Sequence, residues 1–366
     1  MPTTAPSSRA RLLAAVAVPL VALTAACGFS TSTSTGPSSS GSTAQAAGGG
    51  DKPELKFAYF KGDVAGPEAV VATDPGLSGK LGVKLKLVPI DSGVAGIAQL
   101  KGGAFPGISG VGNPPTVAAI GKETPIEVVF VESLDSAGLV VDKTITSDDQ
   151  LVGQKIGALV GSTLDFELRG WLKSKGLTDK VQVVAFQSEA ALAAAYKSGS
   201  VHAAYISQAF LIDLKSKGGR VVVTAADIAK LGYAALGLLI VTQDYAKANP
   251  AIVQQLVCTV RTAQQLELGP DAARYITPAA GILGVKPQQA IDGTKDYPYV
   301  PDAEQLSWFK GADGQVTSGK LVQNFTLTGE FLVTQKRLDA VPSPAVLAAH
   351  VDPTFVEAAY EKNACA

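Results

Sequence analysis

Histidine, cysteine, tryptophan and an excess of either charge are what this chain has little of. Two His and three Cys in 366 residues leave almost no material for zinc fingers or iron–sulfur clusters, and too few thiols for a disulfide-built miniprotein. With 31 basic against 32 acidic residues, the chain carries no basic footprint for nucleic acid and no acidic tail. It contains no G-x-x-x-x-G-K-[ST], H-E-x-x-H, G-x-S-x-G or C-x-x-C. A P-loop nucleotidase, a zincin, a serine hydrolase and a dithiol oxidoreductase are therefore poorly supported. Beyond the first 26 residues no apolar run is long enough to cross a membrane.

What is present is a chain built to fold. Hydrophobic residues make up 46% and charged residues 17%, and the length suits two domains or one divided domain. Arg9 and Arg11 precede an apolar stretch from Leu12 to Ala26. That is a positive segment followed by about 15 apolar residues, the build of an export signal. The stretch ends Leu23-Thr24-Ala25-Ala26-Cys27-Gly28, and small residues before a cysteine resemble a bacterial lipobox. Cys27 is then the acylated first residue of the mature protein, and the expected location is the extracytoplasmic face of the cell membrane, lipid-anchored. An ordinary cleaved signal is the alternative. Residues 28–53, chiefly Ser, Thr, Gly and Ala over most of their length, read as a disordered tether.

From residue 54 the pattern alternates. Leu55–Phe60, Val83–Ile90, Ile126–Val131, Gly138–Val141, Lys155–Leu159, Val181–Phe186, Ala203–Ile206 and Leu236–Thr242 read as strands. Gly93–Lys101, Ser162–Lys175, Ser188–Ser198 and Pro250–Leu266 read as helices, the last with Pro at its first turn. The remainder to the C-terminus reads as helical with Pro-marked turns. Strands alternating with helices predict an α/β fold with largely parallel sheets.

Several of these pieces occur in a specific order. Pro89-Ile90-Asp91-Ser92-Gly93 opens one helix and Gly110-Val111-Gly112-Asn113-Pro114-Pro115 another. Asp149-Gln150-Leu151-Val152-Gly153-Gln154-Lys155-Ile156-Gly157 runs into Gly161-Ser162-Thr163, and Asp244-Tyr245-Ala246-Lys247-Ala248-Asn249-Pro250 comes last. From about Leu55 to Leu266 this resembles the solute-binding proteins of ABC importers in the nitrate/sulfonate/taurine group, most nearly the taurine-binding type. The resemblance implies a two-lobe, type II periplasmic-binding-protein-like fold with a ligand cleft between the lobes. One lobe is expected to comprise residues 54–140 and 240–366 and the other residues 141–239, with crossings near Val141 and Leu238. It implies a small-molecule solute, ABC permease subunits as partners, no cofactor or metal, and a monomer. An enzyme on the same fold, like the thiamine-precursor synthases, and a sensory lipoprotein are the alternatives.

The matching turns supply the candidate site. Gly112 and Asn113 stand where the family has a Gly-Ser-Ser-Pro-type turn, and Ser162 and Thr163 match its anion-contacting turn. Both pairs are also good helix caps. Together they predict an anion held between two helix N-termini, one from each lobe. Asp91 and Ser92 either cap a helix or meet a ligand amine. Tyr59 and Asp63 follow the first strand towards the cleft rim, and Tyr205 and Ser207 end another strand. Two departures from the taurine-binding pattern stand out. Ser207 occupies a position near a family Trp, and Gly237 one where the family carries an acid suited to an ammonium. These favour a small organic anion or zwitterion other than taurine itself. An oxidising compartment and a lipid-bound Cys27 leave Cys258 and Cys365 as a disulfide pair.

Overall fold

A computed structural model of the chain describes residues 52–61, 64–295 and 297–365. The expected leader with its Cys27, almost all of the tether, and Asp63 lie outside the described residues.

The first part of the chain runs β1 (Glu54–Phe60), α1 (Pro67–Thr73), α2 (Pro75–Lys80), β2 (Lys84–Ile90), α3 (Gly93–Lys101), β3 (Gly107–Gly112), α4 (Asn113–Ile120) and β4 (Ile126–Leu134). There follow β5 (Ala137–Val141), β6 (Lys155–Ala158), α5 (Thr163–Ser174), β7 (Gln182–Ala185), α6 (Glu189–Lys197), β8 (Ala203–Ser207), α7 (Gln208–Ser216), β9 (Arg220–Thr224) and α8 (Ala225–Ala229). Then come β10 (Leu236–Thr242), α9 (Gln243–Ala248), α10 (Pro250–Glu267), α11 (Ala272–Leu283), α12 (Pro287–Thr294), α13 (Asp302–Phe309), α14 (Lys320–Thr334), α15 (Pro344–Ala348) and α16 (Thr354–Tyr360).

The strands form two sheets of the same design. One has the order β2-β1-β3-β10-β4 and the other β7-β6-β8-β5-β9. In each, one strand is antiparallel to its neighbours: β10 against β3 and β4, and β5 against β8 and β9. These are the strands that enter a sheet from the other lobe. The expectation of largely parallel sheets therefore needs this amendment. The crossing points also differ from those expected. β5 lies wholly in the second sheet and β10 wholly in the first, so the chain changes sheets between Leu134 and Ala137 and again between Ala229 and Leu236.

Local chemistry accounts for most elements. Serine hydroxyls cap α3, α5 and α6, with Ser92, Ser162 and Ser188 accepting from the amides of Ala95, Asp165 and Ala191. Pro250 opens α10 where its missing N–H costs nothing. β10 is buried on both faces through Leu238, Leu239, Ile240 and Val241. Two strands were not readable by alternation. β3 is rich in glycine, and Gly110 adopts φ 75°, a left-handed conformation that lets β3 bulge against β10. β9 is short and only partly covered.

Each lobe has its own apolar core. The first gathers Phe57, Ile108, Phe130, Ile240 and Phe325, and the second Leu139, Ile156, Leu168, Trp171 and Tyr205. α5 belongs to both. Its Leu168 and Trp171 enter the second core, while Phe166 packs into the first against Tyr233 and Phe331.

The C-terminal helices return to the first lobe. α16 buries Phe355, Val356 and Ala359, and just beyond it Cys365 is bonded to Cys258 of α10, with a Cα–Cα distance of 5.1 Å. The bond closes a loop with a sequence separation of 107. Replacing both cysteines by serine is expected to lower stability by about 2–4 kcal/mol, read from reversible denaturant unfolding. Unchanged stability would mean that packing of α16 alone secures the tail.

Candidate functional site

Between the two sheets lies a cleft of about 710 Å³. Its walls are the segments that follow the carboxyl ends of strands, where open α/β sheets place their ligands. Phe60 ends β1, Ser92 to Val94 follow β2, and Gly110 and Gly112 end β3. Across the cleft, Leu159 to Thr163 follow β6 and Phe186 and Gln187 follow β7. The floor is made by the two crossings, Ser133 to Asp135 and Ala235 to Gly237, and Tyr297 closes one side.

Four of the residues expected at the site line this cleft: Ser92, Gly112, Ser162 and Thr163. The other described ones are placed differently. The Tyr59 hydroxyl donates to the Ile282 carbonyl at 2.8 Å, turning the ring towards α11 and leaving the cleft to Phe60. Asp91 is exposed beside the cleft, and its neighbour Ser92 takes the cap of α3. Tyr205 is fully buried and donates to Glu167 Oε2 at 2.9 Å. Ser207 caps nothing with its side chain. Its amide and hydroxyl both donate to Glu189, at 2.7 and 2.8 Å.

Asn113 is fully buried and serves as a clamp. Its Nδ2 donates to the Ala234 carbonyl, Asn324 Oδ1 and Thr328 Oγ1, and its Oδ1 accepts from the Leu236 amide at 3.2 Å.

The expected anion clamp between Gly112-Asn113 and Ser162-Thr163 does not form in this geometry, for three reasons. Pro114 and Pro115 occupy the first turn of α4, so two of its otherwise free amide donors do not exist. The Gly161 amide is already given to Asp165 Oδ2 at 2.8 Å, and the Ser162 hydroxyl donates to the Leu159 carbonyl. Finally, the two turns touch. A Cβ on Gly112 would stand 2.7 Å from the Thr163 methyl carbon, which leaves no room for a ligand atom there.

The floor is electrostatically distinctive. Glu132 is buried, accepts the Gly110 amide at 2.6 Å, and shares the Ser109 hydroxyl with Glu68. Glu167 is fully buried and accepts from the Ala235 amide at 3.2 Å. Loss of water and then the Asp135 charge hold the Glu167 carboxyl well above the usual carboxylate range. Burial also raises Asp165, with Gly161, Arg169 and Arg337 pulling the other way. Among the described residues, no lysine or arginine lines the cleft, and Asp135 is the carboxylate among the lining residues.

Residues 48–280 match the NMT1-like family. The chain belongs to that family. It is 28% identical over 286 residues to the taurine-binding periplasmic protein of Escherichia coli K12, covering 76% of this chain and 86% of that one. Among solved structures it resembles a sulfonate ABC transporter's periplasmic sulfonate-binding protein from Methylobacillus flagellatus KT. That likeness has a TM-score of 0.67 at 16% identity and covers 86% of this chain and 96% of the other. The desulfurization enzyme DszB shares the architecture at TM-score 0.55 and 18% identity, over 85% of this chain and 99% of its own. These structural likenesses place the chain in the two-lobe periplasmic-binding-protein fold.

The family match ends within α11, whereas Tyr297 and the Asn324 and Thr328 contacts come from later helices. Of the apolar lining, Phe60 lies within the span from Tyr59 to Asp63 expected at the rim, whereas Val94, Val160 and Phe186 are not foreseen. These three sit just beyond strands, so the rule that points to Ser92 and Thr163 applies to them equally, but their apolar side chains carry no polar signature to single them out.

The tight contact between the lobes gives a direct test. Gly112→Ala is expected to wedge Thr163 away, destabilising the protein by about 1–3 kcal/mol. Thr163→Ser in the same chain removes the opposing methyl and should restore most of that loss. Thermal unfolding of the two variants decides it, and a neutral Gly112→Ala would show that the lobes do not meet there.

Proposed function

We propose that the protein is the extracytoplasmic solute-binding component of an ABC importer. It captures a small organic zwitterion or anion, sulfonate- or taurine-like, in the interlobe cleft and delivers it to the permease. The observation that carries this reading is the cleft itself, walled by both lobes and floored by the two segments that join them. A solute touching both walls favours the closed arrangement, so capture and closure are one equilibrium, and a permease can recognise the closed form. The 28% identity to a taurine-binding periplasmic protein supports the same reading.

The lining chemistry favours a zwitterion over a bare anion. With Asp135 on the floor and no lysine or arginine among the lining residues, a solute bearing a cationic group as well as an anionic one meets the better field. For the anionic end, the first-turn amides of Gly93 and Val94 in α3 have no partner within the helix, and both residues line the cleft. Thr163 lines the cleft from the other lobe. Catalysis has less support. Among the described residues, no His or Cys lines the cleft, and Cys258 and Cys365 are bonded to each other.

Calorimetric titration with sulfonates, carboxylates and their amino derivatives tests the reading. Saturable binding without turnover is expected, with amino-bearing members tighter than their des-amino partners by about tenfold, some 1.4 kcal/mol. Binding of none, or chemical conversion of any, would overturn it.

In the same reading the protein works as a monomer tethered by lipid on Cys27. Cys27→Ser should move the exported protein from the detergent phase to the aqueous phase on partitioning. Aqueous partitioning of the parent protein would remove the anchor from the proposal.

A further inference from the structure

Charge is unevenly spread over the first lobe, although the chain as a whole is nearly neutral. From Pro75 to Lys101 it carries four lysines, Lys80, Lys84, Lys86 and Lys101, and one acid, Asp91. Lys52 and Lys56 add two more lysines, with Asp51 and Glu54 beside them in sequence.

Topology brings these lysines to one end of the sheet. β1, β2 and β3 are parallel, so their amino ends lie together, away from the carboxyl ends that wall the cleft. Lys52 and Lys80 stand before β1 and β2. Glu54 is paired with Lys84 and Lys56 with Lys86, which puts all four on one face. α3 packs on that same face, because its Gly96 approaches Ile90 and Ile90 shares the parity of Lys84 and Lys86. The helix runs from the carboxyl end of β2 back to the start of β3, so Lys101 at its last residue returns to the lysine end. All six lysines are exposed. Acids offset them little. Glu54 bonds Lys86 at 3.3 Å, Asp74 is spent on the Leu77 amide, and Asp91 belongs to the cleft end. Glu123, Glu127, Asp244 and Asp352 stand on the β10–β4 side, across the sheet from β2.

The chain enters the lobe at this same end. Residues 28–51 join Cys27 to Lys52, and Ser- and Gly-rich chains of about that length average on the order of 25–30 Å end to end. A lipid on Cys27 would keep the lysines that close to the bilayer.

We infer that the lysine cluster at the amino ends of β1 and β2 is a docking surface for a bilayer of anionic lipid. The first lobe rests on it with the cleft end of its strands turned to the medium, where solute arrives. This goes beyond solute capture. It rests on the membrane-side location in that reading, and its failure would leave the cleft and its solute untouched.

The experiment is co-sedimentation of the chain from residue 27, with Cys27→Ser so that no acyl group contributes, with vesicles of phosphatidylcholine alone or with about one-third phosphatidylglycerol. Binding is expected to the anionic vesicles only, at about 0.1 M salt, and to be lost at about 0.5 M. Each lysine near such a surface is worth about fivefold in affinity. The triple variant Lys56→Gln, Lys84→Gln, Lys101→Gln should therefore bind about a hundredfold more weakly, with an unchanged melting temperature. Lys143→Gln, Lys215→Gln, Lys217→Gln removes the same charge from exposed sites on the second lobe and should bind like the parent. Equal loss in both triple variants would make net charge the cause and overturn the surface. Equal binding to neutral vesicles, or none to anionic ones, would overturn it too, leaving the lysines only the task of keeping the edge strand β2 from pairing with other chains.

Discussion

The return crossing, Ala234 to Leu236, is the constraint on which the cleft depends. Three residues of extended backbone pass between the lobes, and side chains from three separate elements hold their polar groups. Asn113 and Asn324 donate to the Ala234 carbonyl, Glu167 accepts from the Ala235 amide, and Asn113 accepts from the Leu236 amide. A buried backbone group without a partner costs as much as a lost hydrogen bond, so each of these side chains is needed where it is. Glu167 comes from α5 of the second lobe, Asn113 from α4 of the first, and Asn324 from α14 near the C-terminus. The crossing is thereby fixed to both lobes at once, and the cleft floor, which shares Ala235 and Leu236, is fixed with it. The bonds are made in a nearly dry place, where hydrogen bonds are stronger and unpaired groups more costly. Burial in that place raises the Glu167 carboxyl.

This arrangement explains which parts of the molecule were legible in the sequence. Strands with alternating or continuous apolar residues, such as β1, β2 and β10, and helices opened by serine or proline, such as α3, α5 and α10, follow from local rules and lie within a residue or two of where those rules put them. β3 was hidden because its glycines look like a turn, and only the pairing with β10 makes them a strand. The site was read less well. Asn113 beside a glycine at a helix start looks like an anion nest, and what makes it a clamp is Asn324, 211 residues away. No local pattern contains that partner. The same holds for Tyr205, whose burial against Glu167 is tertiary, and for Tyr59, which α11 claims.

α5 shows how one helix can serve recognition and stability together. Its N-terminal residue Thr163 faces the cleft and touches Gly112, the end of its first turn sends Phe166 into the first core, and its second and third turns bury Leu168 and Trp171 in the second. The helix is therefore anchored in both lobes behind the site. A two-lobe receptor must open, yet Phe166 against Tyr233 and Phe331, and Arg337 on the Gly161 carbonyl at 2.6 Å, tie the lobes at this edge. Movement that breaks these contacts would expose a buried aromatic side chain at a cost of about 1.5–3 kcal/mol. Movement that keeps them must pivot about α5 and part the walls away from it. The less costly motion is the second. It makes the α5 edge the hinge side of the cleft.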